Sequence, residues 1–204
     1  MTDTLRLQKI IGYDFRDPGL LELALTHRSA GGRNNERLEF LGDSILNHVI
    51  AEMLFRAFPE SREGELSRMR AALVKGDTLA EVAREMSLGE YLKFGSGEKK
   101  SGGHRRASIL ADALEALIGA IYLQFGFARC TEIVRGLITP TMDSAVARGA
   151  GLDGKTALQE LAAALGKGTP EYIVSEDGPD HDKNFTAVAM LAGEALSQGT
   201  GKSK

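Results

Sequence analysis

This 204-residue chain has no tryptophan, one cysteine, five prolines and only 6% aromatic residues. A single thiol, Cys130, cannot close an internal disulfide, and without a CxxC partner it excludes the usual thiolate zinc sites. A reducing compartment is the simplest home for such a chain. The opening Met1-Thr2-Asp3-Thr4-Leu5-Arg6 is polar where a secretory signal needs an apolar run. No window approaches the ~18 uninterrupted apolar residues that a membrane span requires. The reading is a cytoplasmic protein with no membrane partner. Excess positive charge is also lacking: 25 Lys and Arg against 28 Asp and Glu leave a net charge of −3. That sum argues only weakly against nucleic-acid binding, because phosphate contact depends on where positive charge sits. Hydrophobic residues at 43% and charged residues at 26% are ordinary for a folded globular chain, and the length allows one large domain or two small ones.

Apolar residues recur at three- and four-residue spacing from Leu5 to about Ala145, so most of this region is expected to be helical. Asp17-Pro18 places an N-cap acceptor before a proline at the first helical position, opening a helix over 19–27. Asn34-Asn35 opens a long helix to about 58, stopped by Pro59, and another runs over 64–75. Thr78 with Glu81 predicts a capping box for a helix that ends before Gly89. A strongly apolar helix follows over 108–125, then a last one beyond Gly126 that Pro140 is expected to interrupt. Residues 148–154, rich in glycine, read as a linker. Beyond it come one amphipathic helix over 155–165 and strand-like runs at 171–175 and 185–191, separated by the breaker cluster Glu176-Asp177-Gly178-Pro179-Asp180. The expected fold is therefore all-α over 1–147, followed by a small α+β module, α-β-β-β in order, over 155–204. The final Gly199-Thr200-Gly201-Lys202-Ser203-Lys204 reads as the start of a further element, so that this module is C-terminally incomplete.

The strongest chemical signal is a constellation of acids. Glu36, Glu39 and Asp43 stand at i, i+3 and i+7, within about 60° of arc on a helix, with Leu38, Leu41, Ile45 and Val49 roughly opposite. In the helix over 108–125, Asp112 and Glu115 share one face while Leu110, Leu114, Leu117 and Ile121 form a core stripe. Acids on the solvent side of an amphipathic helix are also ordinary stability features, particularly near its N-terminus. Two details favour a site. Gly42 interrupts its helix at a cost of about 1 kcal/mol relative to alanine, and Ala116 and Gly119 flank the second acidic pair, leaving surfaces small enough for close approach. Facing carboxylates repel unless a cation lies between them, and hard oxygen ligands favour Mg²⁺ or Mn²⁺ over zinc. Such ions serve phosphodiester hydrolysis.

The run Asn35-Glu36-Arg37-Leu38-Glu39-Phe40-Leu41-Gly42-Asp43-Ser44 closely resembles the signature of the ribonuclease III family. Leu25-Thr26-His27-Arg28-Ser29, Lys100-Ser101-Gly102-Gly103 and Asp112-Ala113-Leu114-Glu115-Ala116-Leu117-Ile118-Gly119 match it in order. Lys155-Thr156-Ala157-Leu158-Gln159-Glu160 and Gly178-Pro179-Asp180-His181 resemble a double-stranded-RNA-binding domain. The resemblance spans nearly the whole chain. It implies a homodimeric, Mg²⁺-dependent endoribonuclease, with Mn²⁺ as an alternative ion, that cuts double-stranded RNA to 5′-phosphate and 3′-hydroxyl ends. Ribosomal RNA precursors and structured messenger regions are the substrates it suggests. It also implies that Glu39, Asp43, Asp112 and Glu115 hold the metal, that Asp43 and Glu115 are catalytic with Glu36 at the edge of the site, and that Phe40 lies in the dimer interface. Phe40 as a plain core side chain remains open. In the small domain, Thr156, Gln159 and Glu160 match a minor-groove face and His181 a second minor-groove contact, while Lys202 and Lys204 match a phosphate clamp. Residues 155–204 carry 5 basic and 7 acidic side chains, so this part has little capacity to clamp phosphate on its own.

His27, at a helix end, reads as a cap or a satisfied histidine rather than a base, since a bound cation already activates water. Thr26 and Ser29 read as caps or turn formers. The glycine-rich segment 95–106 concentrates positive charge just before the second acidic helix, and Lys100, Arg105 and Arg106 are candidates for RNA contact. Two other functions compete with the nuclease: a non-cleaving double-stranded-RNA-binding regulator, and an all-helical Mg²⁺-dependent nucleotide hydrolase. The first would be marked by loss of a metal carboxylate, and none of the four is lost. The second has no use for the appended α-β-β module.

Overall fold

A computed structural model describes residues 4–147, 154–179 and 183–201. The chain divides into two compact units, one up to Gly151 and one from Leu152.

The first unit is helical. Its elements are α1 (Thr4–Ile11), α2 (Pro18–Ala24), α3 (Glu36–Ala57), α4 (Glu63–Leu73), α5 (Gly76–Glu85), α6 (Ser96–Lys100) and α7 (Ala107–Ala147). Asp17 caps α2 as its position before Pro18 dictates, its carboxylate accepting from the Gly19 amide at 2.9 Å. At the start of α3 the capping oxygen comes from Asn34, which accepts from the Glu36 amide at 3.1 Å. Leu38, Ile45 and Val49 of α3 are buried, as are Leu110, Leu114, Leu117 and Ile121 of α7, so the two apolar stripes meet in one core. The acidic faces are thereby directed to one side of the α3/α7 pair.

Two local expectations fail in this unit. The Thr78–Glu81 capping box does not form, because α5 already starts at Gly76 and the Thr78 hydroxyl donates to the Ala72 carbonyl at 2.9 Å. The reciprocal bond of such a box occurs at α4 instead, where the Arg62 amide donates to the Glu65 carboxylate at 3.0 Å. Pro140 does not stop α7. Ile133, Val134 and Ile138 ahead of it are buried and Met142 beyond it packs on the same core, which holds the turn helical although proline offers no backbone donor there. The real break is at Gly126, whose φ of 77° leaves the helical region and redirects the chain. α7 is long and apolar enough to cross a membrane, but most of its apolar stretch is buried inside this unit.

The second unit contains α8 (Gly154–Ala164) and an antiparallel sheet of β1 (Glu171–Asp177), β2 (Asn184–Leu191) and β3 (Glu194–Gly201) in the order β1-β2-β3. Ile173 opposes Val188 across β1/β2, and the β2/β3 register shifts between Ala189 and Met190. Residues 199–201 complete β3, so they do not begin a new element; strand pairing with Phe185, Thr186 and Ala187 claims their backbone. Ala162, Ala189 and Leu191 are buried, and the Lys155 ammonium lies 5.1 Å from the Tyr172 ring centroid.

Candidate metal centre and nucleic-acid interface

The site is built where α3 crosses α7, and glycine sets its dimensions. A Cβ on Gly42 would stand 1.7 Å from the Glu115 carbonyl oxygen, and one on Gly119 would stand 2.3 Å from that of Leu38. The backbones therefore touch at the level of the acids. Glu39 from α3 and Asp112 and Glu115 from α7 place one carboxylate oxygen each within 4.8 Å of one another.

Burial raises all three carboxyls, and repulsion from neighbouring acids adds to it at Glu39 and Glu115. Burial, and then the charges of Asp43, Asp112 and Glu39, push the Glu115 carboxyl up to about 7. Burial also raises Glu39, with Asp112 and Glu36 adding to it, and burial raises Asp112. Arg28 opposes the effect on Glu39 and Asp112. Its nearest ion pair, however, is with Glu36 at 3.7 Å. Among the described residues no ion pair engages Glu39, Asp112 or Glu115 directly. A donor set of hard carboxylate oxygens without a direct ion-pair partner among the described residues fits a divalent cation of the Mg²⁺ or Mn²⁺ kind and offers nothing to a soft metal.

Asp43 and Glu36 belong to the neighbourhood but not to the tight group. Glu36 lies at the rim with Arg28. Asp43 is exposed, and Asn47 holds it, the Asn47 amide donating to Asp43 Oδ1 at 2.8 Å. The sequence reading assigns no role to Arg28 or Asn47. The available signals are the adjacency of Arg28 to His27 and the four-residue step from Asp43 to Asn47, which puts both on one helix face.

His27 does cap a turn: its Nδ1 accepts from the Ser29 amide at 3.2 Å, and Ser29 Oγ in turn accepts from the Gly95 amide at 3.1 Å. The Thr26 hydroxyl donates to the Glu22 carbonyl at 2.7 Å. These bonds tie residues 26–29 to the base of the basic segment. That segment contains local helical structure, α6 and a 3-10 turn over Gly103–Arg105. Glu98 organises it, pairing with Arg106 at 3.1 Å and accepting from the Ser101 hydroxyl. Lys100, Arg105 and Arg106 are all exposed, and Arg106 also pairs with Glu98. Phe40 is 78% exposed, which removes the core alternative, and Phe55 and Leu123 are exposed too. In the second unit Gln159 is exposed on α8, which also carries Thr156 and Glu160. His181, Lys202 and Lys204 lie outside the described residues.

Comparison with known proteins agrees with this architecture in both units. Residues 17–142 match the family model "Ribonuclease-III-like", and residues 155–204 match "Double-stranded RNA binding motif". Ribonuclease 3 of Hahella chejuensis is 53% identical over 201 residues, covering 98% of this chain and 89% of that protein. Ribonuclease 3 of Marinomonas sp. is 57% identical over 181 residues, 88% of this chain and 80% of that protein. Among solved structures, a nuclease domain of ribonuclease III from Campylobacter jejuni, described as having a region involved in dimer formation, superposes with a TM-score of 0.66. It shares 44% identity and covers 68% of this chain and 97% of its own. The chain belongs to the ribonuclease III family: it is an endoribonuclease acting on double-stranded RNA, with a helical nuclease domain followed by a double-stranded-RNA-binding domain.

Proposed function

We propose that this protein hydrolyses phosphodiester bonds of duplex RNA by a divalent-metal mechanism, leaving 5′-phosphate and 3′-hydroxyl ends. The observation that carries the reading is the convergence of Glu39, Asp112 and Glu115. These three, joined by Asp43, hold the ion, Mg²⁺ with Mn²⁺ as an alternative. When bound, such an ion lends Lewis acidity toward phosphate oxygens and water. The chain's own residues do the rest. Glu115 and Asp43 are the catalytic carboxylates. Glu36, paired with Arg28, borders the centre, and the close crossing of α3 and α7 keeps the acids in fixed relation.

Residues 1–147 form the catalytic and dimerisation domain, 148–154 a linker, and 155–204 the RNA-binding domain. Phe40 follows Glu39 directly on α3 and is exposed, and a homodimer that covers its ring brings a second copy close to each centre. Capture of the duplex falls to Thr156, Gln159, Glu160, His181, Lys202 and Lys204, with Lys100, Arg105 and Arg106 on the nuclease domain. The protein works in the cytoplasm on ribosomal RNA precursors and structured RNAs.

The test is incubation of the purified protein with a long, perfectly paired RNA and with one of its single strands, each with and without Mg²⁺. Cutting of the duplex alone, only with the ion, and with 5′ ends that a ligase accepts, is the expected result. A duplex that is bound but left uncut in both Mg²⁺ and Mn²⁺ would return the reading to a non-cleaving binder. Replacing Lys100 and Arg105 together by alanine is expected to weaken duplex binding by several-fold and to flatten its salt dependence, by about 0.9 in log–log slope for each phosphate that is no longer neutralised. An unchanged slope in a filter-binding salt titration would remove these residues from the interface.

A further inference from the structure

We propose that Asn47 is a positioning residue for the carboxylate centre, orienting Asp43 and thereby setting the centre's affinity for its divalent cation. The inference rests on the metal-dependent reading above.

Asn47 stands one turn beyond Asp43 on α3 and is half-buried. Its Nδ2 donates to Asp43 Oδ1 at 2.8 Å and also to the Asp43 carbonyl oxygen at 3.0 Å. Back-bonding to the carbonyl four residues earlier is a common habit of polar side chains in helices. The bond to the carboxylate is what links Asn47 to the centre. It holds Asp43 beside the group formed by Glu39, Asp112 and Glu115, to which Asp43 itself does not belong.

The chemistry of the partner matters. A lysine or arginine at position 47 would neutralise Asp43 and compete with a cation, and an aspartate would repel it. An amide does neither: it restrains the side chain through one oxygen and leaves the negative charge uncompensated and the other oxygen available to a ligand. A ligand group already held in place loses less conformational freedom when the ion is captured. Hydrogen-bonding partners of metal ligands typically account for 10- to 100-fold in affinity or activity.

The experiment uses the full chain and Mn²⁺ itself, titrated calorimetrically into the RNA-free protein, for the parent, Asn47→Ala and Asn47→Gln. Asn47→Ala is expected to bind Mn²⁺ roughly 10-fold more weakly, with a cation-free melting temperature equal to the parent's. Its cleavage is expected to require correspondingly more Mn²⁺ and to recover at saturation, with KM for duplex unchanged. Asn47→Gln keeps the amide one methylene further out and is expected to fall between the two. Parental Mn²⁺ affinity in Asn47→Ala overturns the inference, as does a loss of affinity matched by a lower cation-free melting temperature, which marks a purely structural role. If the parent itself neither binds Mn²⁺ nor cuts duplex RNA, the metal-dependent reading falls and takes this inference with it.

Discussion

Replacing Glu115 by glutamine is expected to abolish cleavage and at the same time to stabilise the cation-free protein above neutral pH. Both effects have one origin. The Glu115 carboxyl titrates at about 7 in the folded protein against 4.5 for the free group, first because it is buried and then because Asp43, Asp112 and Glu39 surround it. A folded-state value above the unfolded one means that folding favours the protonated form. The associated stability is fully present below about 4.5 and is lost as pH rises through about 7. Above that, the ionised carboxylate is held against its preference. Glutamine keeps the shape without the charge and removes a cost of about 1–2 kcal/mol once partial solvent screening is allowed for. For a domain of this size that corresponds to a rise of roughly 2–8 °C in melting temperature. The difference between variant and parent, followed by calorimetry without divalent ions, should be absent below about 4.5, grow between about 4.5 and 7, and level off above that. A difference that is the same at every pH would show that the charge of Glu115 is not what the fold resists. Cleavage should fall by several orders of magnitude while duplex binding, which depends on other residues, stays nearly intact. Loss of both together would make Glu115 a structural residue.

Gly42→Ala is expected to be the most damaging single methyl group in the nuclease domain. Helix propensity alone would predict a gain of about 1 kcal/mol. The added Cβ, however, would stand 1.7 Å from the Glu115 carbonyl oxygen and 2.6 Å from its carbon, so backbone rather than a flexible side chain must yield. Forcing two packed helices apart typically costs about 1–3 kcal/mol and occasionally more, and here the upper end applies because Gly119 meets the Leu38 carbonyl on the reverse side of the same crossing. Glu39 and Asp43 on α3 would move relative to Asp112 and Glu115 on α7. Activity should therefore drop beyond what the reduced stability explains, even at temperatures where the variant is fully folded. Thermal melts and single-turnover cleavage at low temperature measure the two effects separately. A variant with parental stability would contradict the packing described for this crossing.

The carboxylates illustrate how far sequence reading reaches. The helical period places Glu36, Glu39 and Asp43 on one face and Asp112 and Glu115 on another, and burial of Leu38, Ile45, Leu114 and Leu117 confirms the faces. Gly42 also stands out, because a glycine in mid-helix needs a reason. Ala116 and Gly119 hint at its partner across the crossing, but no spacing gives the distance. Caps are less legible. Asp17 is plain beside Pro18, whereas Thr78 suggests a box although a neighbouring carbonyl has already claimed its hydroxyl. Pro140 misleads for a related reason: its local penalty is real, but the core on either side outweighs it.

The sequence by itself determined where the long helices lie, which faces of α3 and α7 are acidic and which family the motifs resemble, because helical periodicity and spacing are properties of contiguous chain. Only the tertiary structure decided that Glu39, Asp112 and Glu115 meet while Asp43 stands beside them on a bond from Asn47, that Phe40 is exposed, and that Arg106 pairs with Glu98 while Lys100, Arg105 and Arg106 all remain exposed. Those outcomes depend on the distance between separate helices and on how much water is excluded there, and both quantities are set by packing between residues far apart in the chain.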